Sequence, residues 1–201
     1  MNKPYLVGIT GGIGSGKTTV LKHFMALGIP AYEADKEAKR LMNKDAELIS
    51  KIKEKFGDQS YIDCQLNTKY LSDTVFKDKQ KLEELNALVH PAVRKDFKNW
   101  AENQNSKYVV YESALIIEYN QQEVFDEIIL VTAPKKTRIE RVKKRSNLSE
   151  NEIKRRINKQ ISDNSKSKYV NYIIENINKR QLKDNILDIN HNILNNILNN
   201  N

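Results

Sequence analysis

The sequence predicts an α/β fold in which a five-stranded parallel sheet is flanked by helices. Strand-like segments that are apolar throughout alternate with helical segments, and this order is typical of a parallel sheet covered on both faces. A long helical stretch separates the second of these strands from the third. The length of 201 residues fits one substantial domain, or a core with inserted subdomains.

Five segments are predicted to be strands. Each is a short run of apolar residues, which indicates a strand buried on both faces. The segments are YLVGIT (Tyr5–Thr10), IPAYEAD (Ile29–Asp35), the start of KYVVYESALII (Lys107–Ile117), DEIILVTA (Asp126–Ala133) and YIIEN (Tyr172–Asn176).

Helical patterns account for most of the remaining chain. The first helix follows a cluster of glycines and is predicted to stop at Gly28. Residues 36–105 carry two long helical patterns and are too many for a simple crossover, so we expect an inserted helical subdomain there. The predicted core then consists of residues 1–35, 106–137 and 168–201.

Residues 138–167 form a basic segment between the fourth and fifth strands. Within it, Ser149 is followed by Glu152 in the spacing of a capping box, which predicts a helix start. Two charged helices joined by a turn are therefore expected. After the fifth strand, isoleucines at helical spacing predict an amphipathic helix that frays in the terminal asparagines: Ile186, Ile189, Ile193 and Ile197.

Composition narrows the function classes. The formal net charge of +8 and the pI of about 9.3 suit nucleic acid, a membrane surface or a phosphate-rich small molecule, or simply a solvated basic surface. The single cysteine, Cys64, cannot form an internal disulfide, which favours a reducing compartment. No apolar run approaches the ~20 residues of a membrane span, and no leader pattern opens the chain, so we expect a cytoplasmic protein.

The glycine-rich turn carries the first chemical signal. Gly11 to Thr18 fits G-x-x-x-x-G-K-[ST], the phosphate-binding loop, between a strand and a helix as that loop requires. Backbone N–H groups and the helix dipole would cradle phosphates, Lys17 would reach the β- and γ-phosphates, and the Thr18 hydroxyl would bind Mg²⁺. The other interpretation is a chance match at a flexible turn.

The loop alone does not identify the reaction. A GTPase should carry Asn-Lys-x-Asp, but NKDA and NKQI both fail at the fourth position, and a helicase or transporter would need a longer chain. The chain length, together with the predicted helical insertion and the basic segment, favours a kinase for a small acceptor. The alternatives are another small-molecule or nucleotide kinase with this loop, an ATP-binding regulatory protein, and a basic nucleic-acid binder. The scattered tyrosines argue against the last.

Four ordered blocks resemble the dephospho-coenzyme A kinase family. They are GITGGIGSGKTTV, LGIPAYEAD, LNALVHPAV and RSNLSENEIKRRINKQ, and the resemblance runs from Tyr5 to about Arg180. The family transfers the γ-phosphoryl group of ATP to the ribose 3′-hydroxyl of dephospho-CoA, the last step of coenzyme A synthesis. The resemblance implies a P-loop kinase core, a helical CoA-binding acceptor domain at 36–105 and a lid at 138–167.

Asp35 is the carboxylate that the resemblance assigns to the acceptor hydroxyl. It also follows a predicted strand end, where ligands of parallel sheets bind. A role as N-cap of the next helix is the alternative, and the two could coexist. Glu33 departs from the first aspartate of the family motif.

The resemblance also implies substrate contacts in the acceptor domain and after the third strand. His90 precedes Pro91 in a family motif, and we expect it either to contact substrate or to have a structural role. For Arg94 the alternatives are contact with a substrate phosphate and a solvated position on the surface. Glu112 preserves a carboxylate able to hold Mg²⁺ through water, although Ala114 replaces a family proline.

The expected ATP site combines the loop with the lid. Arg141 and Arg145 match family arginines suited to clamping phosphate oxygens, with plain solvent exposure as the alternative. Lys17, Arg141 and Asp35 are the expected catalytic residues, and Thr18 with Glu112 the expected metal ligands. Asn176 would border adenine. The expected ATP-binding residues are Asn176, Arg145 and the loop residues Gly12, Ile13, Gly14, Ser15, Gly16, Lys17, Thr18 and Thr19.

The implied small molecules are ATP, Mg²⁺ and dephospho-CoA. We expect no nucleic-acid partner and no membrane association. A monomer or a weak homo-oligomer is expected.

Overall fold

The fold is known from a computed structural model that describes residues 3–76, 78–146 and 148–199. Two compact units make up the chain. Residues 1–32 and 104–201 form the first unit, and residues 33–103 form the second. Among the described residues, no helix combines the length and the apolar character that a transmembrane span requires.

A five-stranded parallel sheet is the framework of the first unit, as predicted. The strands are β1 (Tyr5–Thr10), β2 (Ala31–Glu33), β5 (Tyr108–Glu112), β6 (Glu127–Thr132) and β7 (Tyr172–Glu175). The strand order is β2-β5-β1-β6-β7, which places β1 at the centre. β1 pairs in parallel with β5 and β6, and β6 pairs in parallel with β7.

Helices cover this sheet and bury an apolar core. α1 (Lys17–Ala26) packs against the C-terminal helix α9 (Lys179–Asn199), and the two contribute Phe24 and Ile193 to the same buried cluster. Of the isoleucines predicted to form the apolar face of α9, those at positions 186, 189 and 193 are buried, as expected. The apolar pattern of these segments therefore determines which face of each helix meets the sheet.

The basic segment contains the two expected helices, and the turn predicted between them includes a residue outside those that the structure describes. The helices are α6 (Lys135–Arg145) and α7 (Glu150–Lys159), and the short helix α8 (Asp163–Lys166) follows. Ser149 caps α7 in the predicted capping box, because its side chain accepts from the Glu152 amide while Glu152 binds back to the Ser149 amide. The RSNLS block includes Asn147, which lies outside the described residues.

The second unit is mainly helical. Its helices are α2 (Ala34–Lys44), α3 (Ala46–Phe56), α4 (Thr68–Phe76) and α5 (Lys79–Glu102), and α5 packs against the other three. α5 continues through Pro91, which cannot donate the backbone hydrogen bond of that turn. A two-stranded hairpin, β3 (Tyr61–Ile62) and β4 (Gln65–Leu66), interrupts the helices and is not among the predicted elements.

Two predictions for the end of the second strand are wrong. The second strand ends at Glu33 and not at Asp35, because α2 begins at Ala34. Glu33 is the N-cap residue of α2, so the alternative interpretation of Asp35 as the cap is also wrong. Asp35 lies instead in the first helical turn, where the positive end of the helix dipole favours a carboxylate.

Candidate active site

The glycine-rich loop joins the central strand to α1. β1 ends at Thr10 and α1 begins at Lys17, with Gly16 in the left-handed conformation at the N-cap, φ 97°. The Gly16 carbonyl accepts hydrogen bonds from the amides of Thr19 and Val20, at 2.9 and 3.2 Å. No acidic side chain occupies the first turn of α1, so the dipole at this described helix end is left for an anion.

The glycines also make room for the protein's own groups. A Cβ on Gly14, φ 80°, would lie 2.6 Å from the carbonyl oxygen of Arg138. A Cβ on Gly16 would collide with the amide nitrogen of Asn176. The loop therefore needs glycine at these positions for backbone conformation and close packing, and its crowded side faces α6 and the end of β7.

Lys17 lies beside the carboxylate at the end of β5. Its Nζ donates to the Gly11 carbonyl at 3.1 Å and is 3.7 Å from the Glu112 Oε1. Glu112 is only 7% exposed. A cation and a carboxylate are thus held together at the carboxyl edge of two adjacent strands, the edge at which parallel sheets bind ligands.

Arg141 and Asn176 hold the far side of the loop. The Ser15 carbonyl accepts from the Arg141 Nη1 at 3.1 Å and from the Asn176 Nδ2 at 3.0 Å. Arg141 also donates to the Asn176 carbonyl at 2.8 Å. Arg141 is therefore engaged with the loop rather than simply solvated, whereas Arg145, one turn along α6, is exposed.

A pocket of about 670 Å³ opens over the loop, a volume within the usual range for small-molecule sites. Gly14, Gly16 and Lys17 begin its wall, and the predicted residues Thr18, Thr19, Arg141, Arg145 and Asn176 also line it. Of the other loop residues predicted to bind ATP, Gly12 and Ser15 are buried and Ile13 packs against α6 and α7.

Sequence reasoning missed four residues of this pocket. They are His23 on α1, Ile177 after β7, and Leu182 and Lys183 on α9. Ile177, Leu182 and Lys183 are far from the loop motif along the chain, whereas His23 follows the motif on α1 but is not part of it. Ile177 and Leu182 provide apolar surface, which is the character that an aromatic base requires.

Two oxygen donors suit a magnesium ion. Thr18 is exposed in the pocket wall, and Glu112 lies beside the neighbouring residue Lys17. In the described part of the chain, no three His, Cys, Asp or Glu side chains form a cluster that could hold a metal. The donors therefore fit Mg²⁺ held by one or two protein oxygens, phosphates and water rather than by a cage of side chains.

The predicted acceptor residues belong to the second unit. Asp35 is exposed in the first turn of α2. His90 is half-buried on α5, and its burial, followed by the positive charge of Arg94, lowers the pKa of its imidazole below the ordinary value. Arg94 itself is exposed.

Comparison with known proteins gives a consistent result. The family profile described as dephospho-CoA kinase matches residues 5–182. A dephospho-CoA kinase of Mannheimia succiniciproducens is 35% identical over 173 residues, 86% of this chain and 81% of the relative. A solved structure from Thermus thermophilus is 30% identical with a TM-score of 0.83, covering 96% of this chain and 99% of that one.

A second solved structure supports the same fold. The dephospho-CoA kinase of Campylobacter jejuni has a TM-score of 0.64 and 23% identity, covering 96% of this chain and 98% of that chain.

Proposed function

The chain belongs to the dephospho-CoA kinase family, and on that premise we infer how its own residues carry out the reaction. The enzyme transfers the γ-phosphoryl group of ATP to an alcohol, the ribose 3′-hydroxyl of dephospho-CoA, and releases coenzyme A and ADP. The observation that carries our assignment of roles is the pocket over the glycine-rich loop, with Lys17, Arg141 and Arg145 in its wall.

ATP binds, in this proposal, with its phosphates on the loop and the start of α1. The pocket is lined by the side-chain cations Lys17, Arg141, Arg145 and Lys183 and also includes the first turn of α1, so several positive groups converge on one volume. The base lies toward Ile177 and Leu182, near Asn176. Lys17 exchanges part of its contact with Glu112 for the β- and γ-phosphates.

Asp35 orients the acceptor hydroxyl. Phosphoryl transfer passes through a loose transition state, so positioning the attacking oxygen contributes more than removing its proton early. The oxygen of the 3′-hydroxyl forms a bond to the γ-phosphorus, the bond to the β–γ bridging oxygen breaks, and Asp35 accepts the hydroxyl proton. Arg141 stabilises the negative charge that develops on the leaving ADP.

Thr18 and Glu112 are the proposed protein ligands of Mg²⁺, with Glu112 acting through water. When bound, this ion neutralises charge on the β- and γ-phosphate oxygens. Glu112 also keeps Lys17 in place before ATP binds, since its buried carboxylate lies 3.7 Å from the ammonium group.

We assign acceptor recognition to residues 36–105 and the role of lid to residues 138–167, around a core of 1–35, 106–137 and 168–201. In the acceptor part, Arg94 is an exposed cation suited to a substrate phosphate, and His90 lies one turn before it on α5. We further propose that the protein acts in the cytoplasm as a monomer or weak homo-oligomer, without nucleic acid or membrane as partner.

The test is an acceptor-dependent assay. Purified protein with Mg²⁺-ATP and dephospho-CoA should form one ADP and one coenzyme A per turnover. Coenzyme A is the matched control acceptor, because its 3′-oxygen already carries a phosphate and should yield no ADP. ADP release that is equal with the two acceptors, or no greater than in their absence, would contradict the assignment.

A further inference from the structure

The two peptides on either side of the Ile13 Cα are each held by a side chain from the basic segment. The Ile13 backbone N–H donates to the Gln160 Oε1 at 2.8 Å, across 147 positions of sequence. Its carbonyl accepts from the Arg138 Nε at 2.9 Å. Gln160 follows the last residue of α7, and Arg138 lies in the first turn of α6, so the two elements of the basic segment bind the same loop residue.

The side chain of Ile13 adds an apolar contact to the same elements. It packs against a cluster of three buried residues, Ile139, Val142 and Ile153, that joins α6 to α7. Ile13 is therefore part of the core of the basic segment, although it belongs to the loop by sequence. Its neighbour Gly14 is the first residue of the loop to line the ATP pocket.

Arg138 is built into this junction. Arg138 is only 7% exposed, and its guanidinium occupies the space that a side chain on Gly12 would need. Its Nη1 lies 3.3 Å from the Asp163 Oδ2, at the start of α8. Because Asp163 and the Ile13 carbonyl engage different nitrogens, the planar fork of arginine is fixed in orientation.

We propose that Gln160 and Arg138 are positioning residues for phosphoryl transfer, which act by fixing the two peptides on either side of the Ile13 Cα and with them the loop amides that begin at Gly14. This inference rests on the proposed ATP site. Neither residue lines the pocket, and neither needs to touch ATP. The N–H of the Gly12–Ile13 peptide and the carbonyl of the Ile13–Gly14 peptide are each bonded to a side chain, so both peptide planes are held in orientation and the loop is pre-organised for phosphate before ATP arrives.

The decisive variants are Gln160→Met and Gln160→Glu. Methionine keeps the length of the side chain but cannot accept the Ile13 N–H well, whereas glutamate retains an acceptor oxygen. We expect Gln160→Met to lower kcat about tenfold and to weaken ATP binding about tenfold, since small displacements of a catalytic array can cost up to about a hundredfold in rate. Adenosine affinity and the KM for dephospho-CoA should change less than about twofold, because neither depends on the loop amides.

Rescue separates positioning from a purely structural role. Gln160→Glu should keep kcat within about threefold of the wild type, because the Ile13 N–H keeps its acceptor. The matched control is Lys159→Met, an adjacent exposed residue of α7, which should behave as wild type. Arg138→Met combined with Gln160→Met should cost less than the product of the two single effects, since both side chains hold the same residue, Ile13.

Two results would overturn the proposal. One is a Gln160→Met enzyme whose kcat and ATP affinity stay within twofold of wild type. The other is a Gln160→Met enzyme that loses affinity for ATP and for adenosine to the same degree, together with a Gln160→Glu enzyme whose kcat is no higher than that of Gln160→Met. Nucleotide affinity is measured without acceptor, by displacement of a fluorescent ATP analogue, so a failure here is distinct from failure of dephospho-CoA to serve as substrate.

Discussion

Lys17 shows at the scale of one residue how the site is prepared for a phosphate. Its ammonium group is close to the buried carboxylate of Glu112 and to the Gly11 carbonyl. In the proposed ATP site, the phosphate oxygens carry more negative charge than either of these partners, so we expect them to bind the lysine more strongly. The motif spacing predicted the position of Lys17, but Glu112 became its neighbour only through the pairing of β1 with β5.

Lys17→Ala should reduce kcat/KM for ATP by about a hundredfold or more, because it removes charge stabilisation that grows in the transition state. The measurement is ADP release over a range of ATP concentrations. Lys22→Ala is the control, since Lys22 is an exposed lysine on the same helix. A Lys17→Ala enzyme with the kcat of the wild type would refute the loop assignment.

Asp35→Asn should lower kcat by about a hundredfold or more while ATP affinity stays nearly unchanged. Asparagine retains the size of the side chain but cannot accept the hydroxyl proton. Asp73→Asn replaces an exposed carboxylate of α4 and serves as the control. Near-normal turnover by Asp35→Asn would remove this residue from the mechanism.

At the scale of elements, the sequence predicted the features that depend on residues close together in the chain. The side chains of Ser149 and Glu152 each accept a hydrogen bond from the other residue's backbone N–H, so their spacing was sufficient to place the start of α7. The hairpin of β3 and β4 was missed because Asp63 and Cys64 form its turn with positive φ, 48° and 61°, where Asn-Gly is the usual signal. Gln160 and Arg138 were missed because their partner, Ile13, is remote in sequence.

Ser149→Ala should destabilise the start of α7 by about 1 kcal/mol, the usual cost of losing an N-cap side chain. The expected result is faster amide hydrogen exchange in the first turn of α7, with exchange in β1 and β6 unchanged. Ser72→Ala, at an exposed position inside α4, should not alter exchange in α7. Unchanged protection of α7 in Ser149→Ala would show that packing alone fixes this helix.

At the scale of the whole molecule, His90 links acidity to stability. Burial and Arg94 lower the pKa of His90 in the folded state, so the unfolded chain takes up a proton first as pH falls. Stability from this residue is therefore present above pH 6.5, the ordinary histidine value, and is lost as pH falls toward the lowered folded-state pKa.

His90→Gln should lose less stability than the wild type between pH 7.5 and pH 5. The measurement is the free energy of unfolding in urea at both values. His191→Gln, which replaces an exposed histidine of α9, should follow the wild type. An equal loss in His90→Gln and wild type would show that other groups set the acid sensitivity.

The central place of β1 also has a consequence for synthesis on the ribosome. Both of its neighbours in the sheet, β5 and β6, are encoded about a hundred residues later. Translation proceeds at about 5–20 residues per second, so the segment that carries the phosphate loop is synthesised several seconds or longer before these two strands. Residues 33–103 are a compact unit that emerges whole in that interval. A nascent chain should therefore gain affinity for nucleotide late, after most of its length has been translated.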